Sequence, residues 1–230
     1  MPPFSRLHVS VPRGSSGRAL DAVRSGRHCV HWRRTRRRGH DAVEPLTSVL
    51  LDCIACMTEE MALTVIDSAL NKSRRNLIPE RITQRTLQAV AEKLPDRYRR
   101  AIAQADPLSQ SGLETLVRLR LRSRGIGVTS QKHHAGVGHV DLLVGDRLVI
   151  EVDGRETHDT EEGFATDRHR DLILFRDDMR NLRLTYAQVM HDWQTVEPII
   201  LNKIRRRDHR WGRGMAPAGR EWRRRPVGYT

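Results

Sequence analysis

Apolar residues recur at helical spacing from about residue 45 to residue 104. Pro45 suits the first position of a helix, and Thr58 followed by two glutamates is typical of a second helix start. The same spacing predicts further helices near 79–94 and 96–104. Nothing in this region has the pattern of a catalytic motif, so we interpret it as a helical domain that packs on the rest of the chain or binds a protein partner.

After residue 105 the pattern changes to a mixture of helical and strand periods. Ser111 is predicted to cap a helix that ends at Gly125, and residues 105–112 are the best candidate for a linker before it. The pattern then predicts strands at about 126–133, 139–144 and 147–153, a helix at about 161–179, a strand at 181–186 and a closing helix at about 187–206. This order predicts a mixed α/β domain over residues 109–202, preceded by the helical domain at 41–105.

Charge is concentrated at the two ends. The chain carries a net charge of +13, to which residues 1–40 contribute +9 and residues 203–230 contribute +8, leaving −4 for residues 41–202. Residues 1–27 are rich in Pro, Gly, Ser and Arg without periodicity, so we predict disorder there, although residues 28–32 could form a short strand. We interpret both ends as basic tails that hold phosphate backbones; a solvated tail without a dedicated partner is the alternative.

Neither a membrane segment nor a disulfide framework is apparent in the sequence. No apolar run approaches the ~20 residues of a membrane helix, and no secretory signal follows the basic N-terminus, so we expect a cytoplasmic protein. Cys29, Cys53 and Cys56 form an odd, sparse set that fits a reducing compartment. The pair Cys53 and Cys56 has metal-binding spacing, but it lies in an apolar helical pattern without a second pair at finger-like spacing. We therefore interpret both as packed core thiols rather than as a zinc or redox site.

The most informative stretch is VDLLVGDRLVIEVDG at 140–154, where two apolar runs flank Gly145. A two-residue turn would pair Asp141 with Ile150 and put Asp141 and Glu151 on opposite faces. A three-residue turn over 145–147 pairs Asp141 with Glu151 and collects six apolar residues on one face: Val140, Leu142, Val144, Leu148, Ile150 and Val152. We predict the three-residue turn, with Gly145 or a neighbour at positive φ.

That turn gathers carboxylates on the opposite face of the hairpin. Asp141, Glu151 and Asp153 then lie there with Leu143 and Val149, and the Cβ atoms of Asp141 and Glu151 are ~5 Å apart. Like charges so close are destabilising unless a cation lies between them. Hard oxygen ligands suit Mg²⁺, or Mn²⁺ in its place, which can activate water and stabilise a phosphoryl oxyanion. The alternative is that Arg or Lys side chains neutralise the cluster and that its role is structural.

This arrangement resembles the PD-(D/E)XK nuclease superfamily, in which a helix supplies an acid, one strand supplies Asp and the next supplies (D/E)-x-K. The corresponding positions are Glu114, Asp141 and Glu151, and Asp153 stands where Lys is expected. The resemblance covers about 109–192. It implies a restriction-endonuclease-like mixed sheet flanked by helices.

Several segments look more specifically like the very-short-patch-repair endonuclease branch. They are EVDG followed by His158, FATDRHRD and LRLTYAQV. In that branch the Lys is absent, and a downstream His acts as base or proton shuttle. The chain is also similar to actinobacterial endonuclease-domain proteins associated with AbiEi-type antitoxin modules, through VHW, EPLTSVLLDC and VIDSALNK in the helical part. The winged-helix segment usual in those proteins has no counterpart here, where the basic tail stands.

The helix predicted after His158 mixes charges with an apolar stripe. Its residues at helical spacing are Phe164, Arg168, Leu172, Phe175 and Met179, which places Arg168 and Asp171 on or beside a buried surface. One interpretation is an Asp–Arg network that locks this helix to the sheet. The other assigns Arg168 or Arg170 to a DNA phosphate or to orienting the carboxylates. We also expect Gln131 to contact DNA.

The leading interpretation is a metal-dependent DNA endonuclease. Asp141 and Glu151, with Asp153 as a further ligand, would hold Mg²⁺, Glu114 would act through water, and His158 would be the base. One alternative is a catalytically inactive nuclease-fold protein that binds DNA or regulates, as an antitoxin does. The other is a protein-interaction module acting through residues 45–104.

Overall fold

The structure is a computed structural model in which residues 7–14, 21, 28–33, 44–92, 94–153 and 161–212 are described. Within them the helices are α1 (Leu46–Cys56), α2 (Glu59–Arg74), α3 (Gln84–Ala91), α4 (Asp96–Gln104), α5 (Gly112–Ser123), α6 (Glu161–Arg176), α7 (Tyr186–Met190) and α8 (Trp193–Arg205). The strands are β1 (Leu7–Pro12), β2 (His28–Arg33), β3 (Val128–His134), β4 (Gly138–Val144), β5 (Leu148–Asp153) and β6 (Arg180–Thr185). The mixed α/β class is confirmed. None of the described helices has both the length and the apolar character needed to cross a membrane.

Four strands form one mixed sheet in the order β3-β4-β5-β6. The first two pairings are antiparallel, and β5 and β6 are parallel, with α6 as the crossover between them. One face of the sheet packs on α5, α7 and α8 through a core that includes Leu116, Leu142, Ile150, Val189 and Ile200. The other face packs on α6 through Leu143, Val149 and Leu174. The sheet is therefore covered on both faces, and its central strands are apolar on both.

The prediction for Val140 was wrong. It is fully buried, but it packs with Leu143 and Val149 on the α6 side rather than with Leu142 on the α5 side. The reason lies next to it in the chain, because the regular pairing of β4 with β5 ends at Leu142 and does not reach Asp141. Strict alternation fails where the strand leaves the regular ladder.

The apolar stripe predicted for α6 was also wrong in its members. Phe164, Leu172 and Phe175 are exposed by 63%, 63% and 82%. The buried contacts of α6 come from Ile173 and Leu174 instead. A charged pair anchors the helix to β6, since Arg183 Nη2 donates to Asp171 Oδ1 at 2.7 Å. This is the Asp–Arg network proposed as the structural role of the helix charges.

The closing helix is interrupted between α7 and α8. Thr185 caps α7 by accepting from the Gln188 main chain at 3.3 Å. At the break, Asp192 Oδ1 accepts from the Thr195 hydroxyl at 2.6 Å. One predicted element therefore becomes two helices, separated at His191 and Asp192.

The first residues of the predicted C-terminal tail are structured. After α8, the carbonyl of His209 accepts from the main chains of Asp146 and Arg147 at 3.1 and 3.2 Å. Trp211 packs against the core on the α6 side, and the Arg147 guanidinium lies 4.6 Å from its ring centroid. Residues 203–212 therefore belong to the folded body, and a tail can begin only after them.

The N-terminal region also departs from the prediction. Residues 7–12 form β1, inside the stretch for which we predicted disorder, and pair in parallel with β2. The short strand suggested at 28–32 is confirmed as β2. Leu7, Val9 and Val11 alternate with polar residues, which is the period of a half-buried strand. The surrounding Pro, Gly and Arg concealed that short signal.

A buried polar network joins the helical region to the sheet region. Arg118 of α5 is fully buried and donates to Asp67 of α2 at 2.6 Å. The other Asp67 oxygen accepts from the Asp106 main chain at 2.7 Å, and Asn71 donates to the Pro107 carbonyl at 3.0 Å. The segment 105–112, which we proposed as a linker, is thus bonded to α2. Because an unpaired buried charge is costly, this network favours one arrangement of the two regions.

Candidate functional site

The carboxylate cluster forms where β4 and β5 separate. Their pairing is Leu142 with Ile150, Leu143 with Val149 and Val144 with Leu148, around a turn at 145–147 with Gly145 at φ +66°. This confirms the three-residue turn, although the paired ladder ends at Leu142 and Ile150, one residue short of Asp141 and Glu151. One residue beyond the pair of Leu142 and Ile150, Asp141 Oδ2 accepts from the Val152 main chain at 2.9 Å. The Asp141 side chain therefore lies between the two strands.

Glu114 reaches the same place from the first turn of α5. Ser111 caps the helix by accepting from the Glu114 main chain at 3.1 Å, which confirms the predicted cap. The Glu114 carboxylate is buried and its Oε2 accepts from the Gln110 main chain at 3.0 Å. Burial raises the pKa of Glu114, and the nearby negative charge of Asp141 raises that pKa further. The predicted pairing of a helix acid with a strand acid is thus present in space.

Gln131 links these two carboxylates. Its Nε2 lies 3.0 Å from Glu114 Oε2 and 3.3 Å from Asp141 Oδ1. Its Oε1 accepts from Gln110 Nε2 at 2.9 Å. Gln131 has φ +50° inside β3, a conformation that costs a residue with a side chain about 1–3 kcal/mol. We predicted Gln131 as a DNA contact, and the structure places it inside the carboxylate cluster.

Glu151 is the most strongly perturbed acid of the cluster. Burial raises its pKa to about 7, and the charge of Asp141 adds to the rise while Arg170 opposes it. Arg170 of α6 donates to Glu151 Oε1 at 3.1 Å and to the His139 carbonyl at 3.1 Å. This contact matches one role that we considered for Arg170, that of orienting a carboxylate. It also supplies one of the cations that the structural alternative required.

The other predicted site residues are placed less centrally. Asp153 is exposed at the end of β5, in register with Thr185 of β6. Arg168 is mostly exposed, lies over the Phe164 ring at 5.1 Å and is 3.5 Å from Asp171. His158 lies in the segment 154–160, outside the described residues. The cluster that the structure brings together is therefore Glu114, Gln131, Asp141, Glu151 and Arg170, which we call the carboxylate cluster.

A second cluster of metal-ligating side chains was missed. It contains His8, Cys29, His31 and Cys56. The interpretation of Cys56 as a packed core thiol was wrong, because Cys56 is exposed while Cys53 is buried. The only local signal was the Cys29-Val-His31 spacing, which puts both side chains on one face of a strand. The other two members, His8 and Cys56, lie more than 20 residues away on either side in the sequence, so no local spacing indicated them.

Comparison with known proteins adds no relative. No family model matches the chain, and neither the curated proteins nor the solved structures contain a significant match. The chemistry must therefore be argued from the clusters themselves.

Proposed function

We propose that the chain is a metal-dependent endonuclease that hydrolyses DNA phosphodiester bonds at the carboxylate cluster. The observation that carries the proposal is the convergence of Glu114, Asp141 and Glu151 from a helix and two strands. Three acids held close together in a partly buried place are unfavourable without a cation. Burial first, and then the negative charge of Asp141, raise the pKa of Glu151 to about 7.

The donor set fits a hard divalent cation. Asp141 and Glu151 offer carboxylate oxygens, and Glu114, which Gln131 separates from Asp141, would act through water. Mg²⁺ typically takes one or two carboxylates and keeps several waters, and Mn²⁺ accepts the same oxygen ligands. A cation bound there would supply Lewis acidity toward water and toward the phosphoryl oxygens.

The remaining residues have supporting roles in this proposal. Arg170 holds the Glu151 carboxylate in position through its 3.1 Å bond. Gln131 fixes the spacing of Glu114 and Asp141 through its two amide contacts. His158 lies five residues after Asp153 in the sequence. It is proposed as the proton acceptor, and only the resemblance supports that role. Arg168, exposed on α6, is proposed to contact a DNA phosphate.

One observation favours a second candidate, a catalytically inactive protein that binds DNA through the same fold. Asp153 stands where the superfamily has Lys, and Arg170 with Gln131 already gives the carboxylates partners. A cluster neutralised in this way has less need of a metal ion.

Supercoiled plasmid separates the two candidates. The full chain is incubated with plasmid and Mg²⁺ or Mn²⁺, beside Asp141→Ala and a matched control, Asp208→Ala. Asp208 is a half-buried acid bonded to Lys203 and remote from the cluster in the chain. Nicking by the wild type and by the control, but not by Asp141→Ala, supports the nuclease. Binding of plasmid without nicking selects the inactive protein, and nicking by Asp141→Ala excludes the cluster as its source.

A further inference from the structure

The His/Cys cluster, made of His8, Cys29, His31 and Cys56, is assembled from three elements. His8 comes from β1, Cys29 and His31 come from β2, and Cys56 is the last residue of α1. Parallel pairing sets His8 beside Cys29, and the two-residue period keeps Cys29 and His31 on one face of β2. The end of α1 completes the set. All three elements are therefore needed to supply the four ligands.

Three of the six separations between ligand atoms in the cluster match those of a tetrahedral metal site. One nitrogen or sulfur from each residue lies within 4.8 Å of the others. His8 Nδ1 is 3.1 Å from His31 Nε2, Cys29 Sγ is 3.8 Å from His31 Nε2, and Cys56 Sγ is 3.6 Å from His8 Nδ1. Zinc bonds of 2.3 Å to sulfur and 2.0–2.1 Å to nitrogen, set at tetrahedral angles, give ~3.3 Å between two nitrogens and ~3.6 Å between nitrogen and sulfur. Each observed separation lies within a few tenths of an ångström of these values.

An outer contact orients one of the imidazoles. His31 presents Nε2 to the cluster, and its Nδ1 lies 3.5 Å from Asp52 Oδ1. A metal-bound histidine usually gives its other ring nitrogen to a carboxylate or carbonyl, which fixes the tautomer that coordinates. Asp52 lies on α1, one turn before Cys56, so the same helix supplies a ligand and the group that orients another ligand.

The sheet that carries the cluster needs such a support. β1 and β2 form a sheet of two strands, and an isolated two-stranded sheet is marginally stable in water. Val11 is the buried aliphatic residue that the described part of this sheet contributes to the core. Its attachment to α1 rests on polar side chains, among them His8 with Cys56 and His31 with Asp52. A cation shared by all three elements would hold the sheet to the helical region.

We propose that His8, Cys29, His31 and Cys56 form a structural Zn²⁺ site. Two thiolates and two imidazoles make a complete four-ligand set, which is the composition of structural rather than catalytic zinc sites. The sulfur ligands also give this site a different metal preference from the carboxylate cluster, since soft thiolates select zinc and not Mg²⁺. The proposal does not depend on the nuclease proposal.

The test is the zinc content of the purified full chain after dialysis against metal-free buffer. We expect one zinc per chain in the wild type, and loss of zinc in Cys29→Ala and in Cys56→Ala. Cys53→Ala is the matched control, because Cys53 lies one helical turn before Cys56 but is buried and outside the cluster. It should keep its zinc. Co²⁺ exchanged into the wild type and Cys53→Ala should give the visible absorption of tetrahedral cobalt–thiolate coordination.

The outcomes that overturn the proposal are distinct. A wild-type chain without zinc that also gives no tetrahedral spectrum with Co²⁺ excludes the site. Zinc retained by both Cys29→Ala and Cys56→Ala places the metal elsewhere. A disulfide between Cys29 and Cys56 in the purified protein, detected by intact mass before and after reduction, makes the pair a redox pair instead. The variant Asp141→Ala should keep its zinc, so failure of the nuclease proposal leaves this test unaffected.

Discussion

The carboxylate cluster and the His/Cys cluster are held together in opposite ways. Glu114, Asp141 and Glu151 repel one another, and the sheet with its flanking helices forces them into proximity through two apolar cores. The His/Cys cluster lies on a two-stranded sheet with one buried valine among its described residues, and its ligands are exposed or half-buried. In the first case the fold imposes the site, and a cation would relieve the repulsion between the carboxylates. In the second the cation would create much of the local structure. Metal removal should therefore abolish chemistry at one site and order at the other.

Substitution of one histidine from each region should distinguish the two clusters most strongly. His158→Ala should lower DNA cleavage by ~10²–10⁴-fold, the range for one positioned acid–base group. DNA binding, measured by fluorescence anisotropy, should be largely kept. His8→Ala should instead remove zinc and leave a cleavage rate close to wild type in zinc-free buffer. Equal cleavage by the wild type and His158→Ala would assign the base to another group, such as Glu114.

The carboxylate cluster was largely predictable, and the reason is physical. Its strand acids are ten residues apart in a hairpin whose alternation selects one register, and a slip by one residue would have buried Asp141 and Glu151. Gln131 was not predictable in its role, because a positive φ at a residue other than glycine leaves no mark in the sequence. The exposed Phe164, Leu172 and Phe175 misled the prediction for α6, since hydrophobic spacing indicates a face only when that face is covered.

The His/Cys cluster was not predictable by the same means. Its ligands span residues 8 to 56 and meet only through a parallel strand pair, which is a long-range contact. The helical pattern around Cys53 and Cys56 suggested a shared environment, yet one thiol is buried and the other is exposed. Residues three apart on a helix are neighbours on its surface, but Cys56 is the last residue of α1 and is exposed while Cys53 is buried.

Arg170 tests whether the carboxylate cluster is tuned from outside. Arg170→Gln removes the donor that lies 3.1 Å from Glu151 and that opposes the rise of its pKa. We expect a ~10–100-fold loss of cleavage or of Mg²⁺ affinity, the range for residues that orient a metal ligand. Titration of activity with Mg²⁺ at fixed pH measures this loss.

The control for Arg170 is Arg168→Gln. Arg168 is two residues away on α6, is mostly exposed, and lies against Asp171 and the Phe164 ring rather than against the carboxylate cluster. Its substitution should weaken DNA binding modestly and leave the Mg²⁺ requirement unchanged. Identical Mg²⁺ titrations for wild type and Arg170→Gln would reduce Arg170 to a structural anchor between α6 and the sheet.

The strain in the carboxylate cluster should appear as a pH dependence of stability. The pKa of Glu151 is raised to about 7 in the folded chain, from 4.5 as its ordinary value. Below both values Glu151 is protonated in both states and has no effect. As the pH rises from about 4.5 to 7, the unfolded chain ionises first, so stability is lost and the loss is complete above pH 7. At about 1.4 kcal/mol per unit of pKa, the loss is about 3–4 kcal/mol.

Urea unfolding at pH 5 and pH 8 measures that loss in metal-free buffer. Glu151→Gln should be more stable than the wild type at pH 8 by ~1–3 kcal/mol and similar to it below pH 4.5. Added Mg²⁺ should restore the wild type at pH 8 and leave Glu151→Gln unchanged. A wild-type stability that rises between pH 5 and pH 8 by more than that of Glu151→Gln would show that Arg170 and Gln131 already neutralise the cluster.

The smallest effect concerns the basic C-terminal segment, and its boundary follows from the structure. A cut after residue 202 would remove His209 and Trp211, which lie against the β4–β5 turn, and would confound binding with folding. A cut after residue 212 keeps both residues and removes only 213–230, which contain five Arg and one Glu.

Every DNA phosphate that this segment neutralises contributes ~0.9 to the slope of log K against log salt on duplex DNA. The truncated chain should therefore bind duplex more weakly at low salt, with a flatter salt dependence and a thermal midpoint close to that of the full chain. Fluorescence anisotropy at four salt concentrations is sufficient to determine the slope. An unchanged slope would assign the phosphate contacts to the basic residues 1–40 or to the folded body, where Arg168 on α6 is the first residue to substitute.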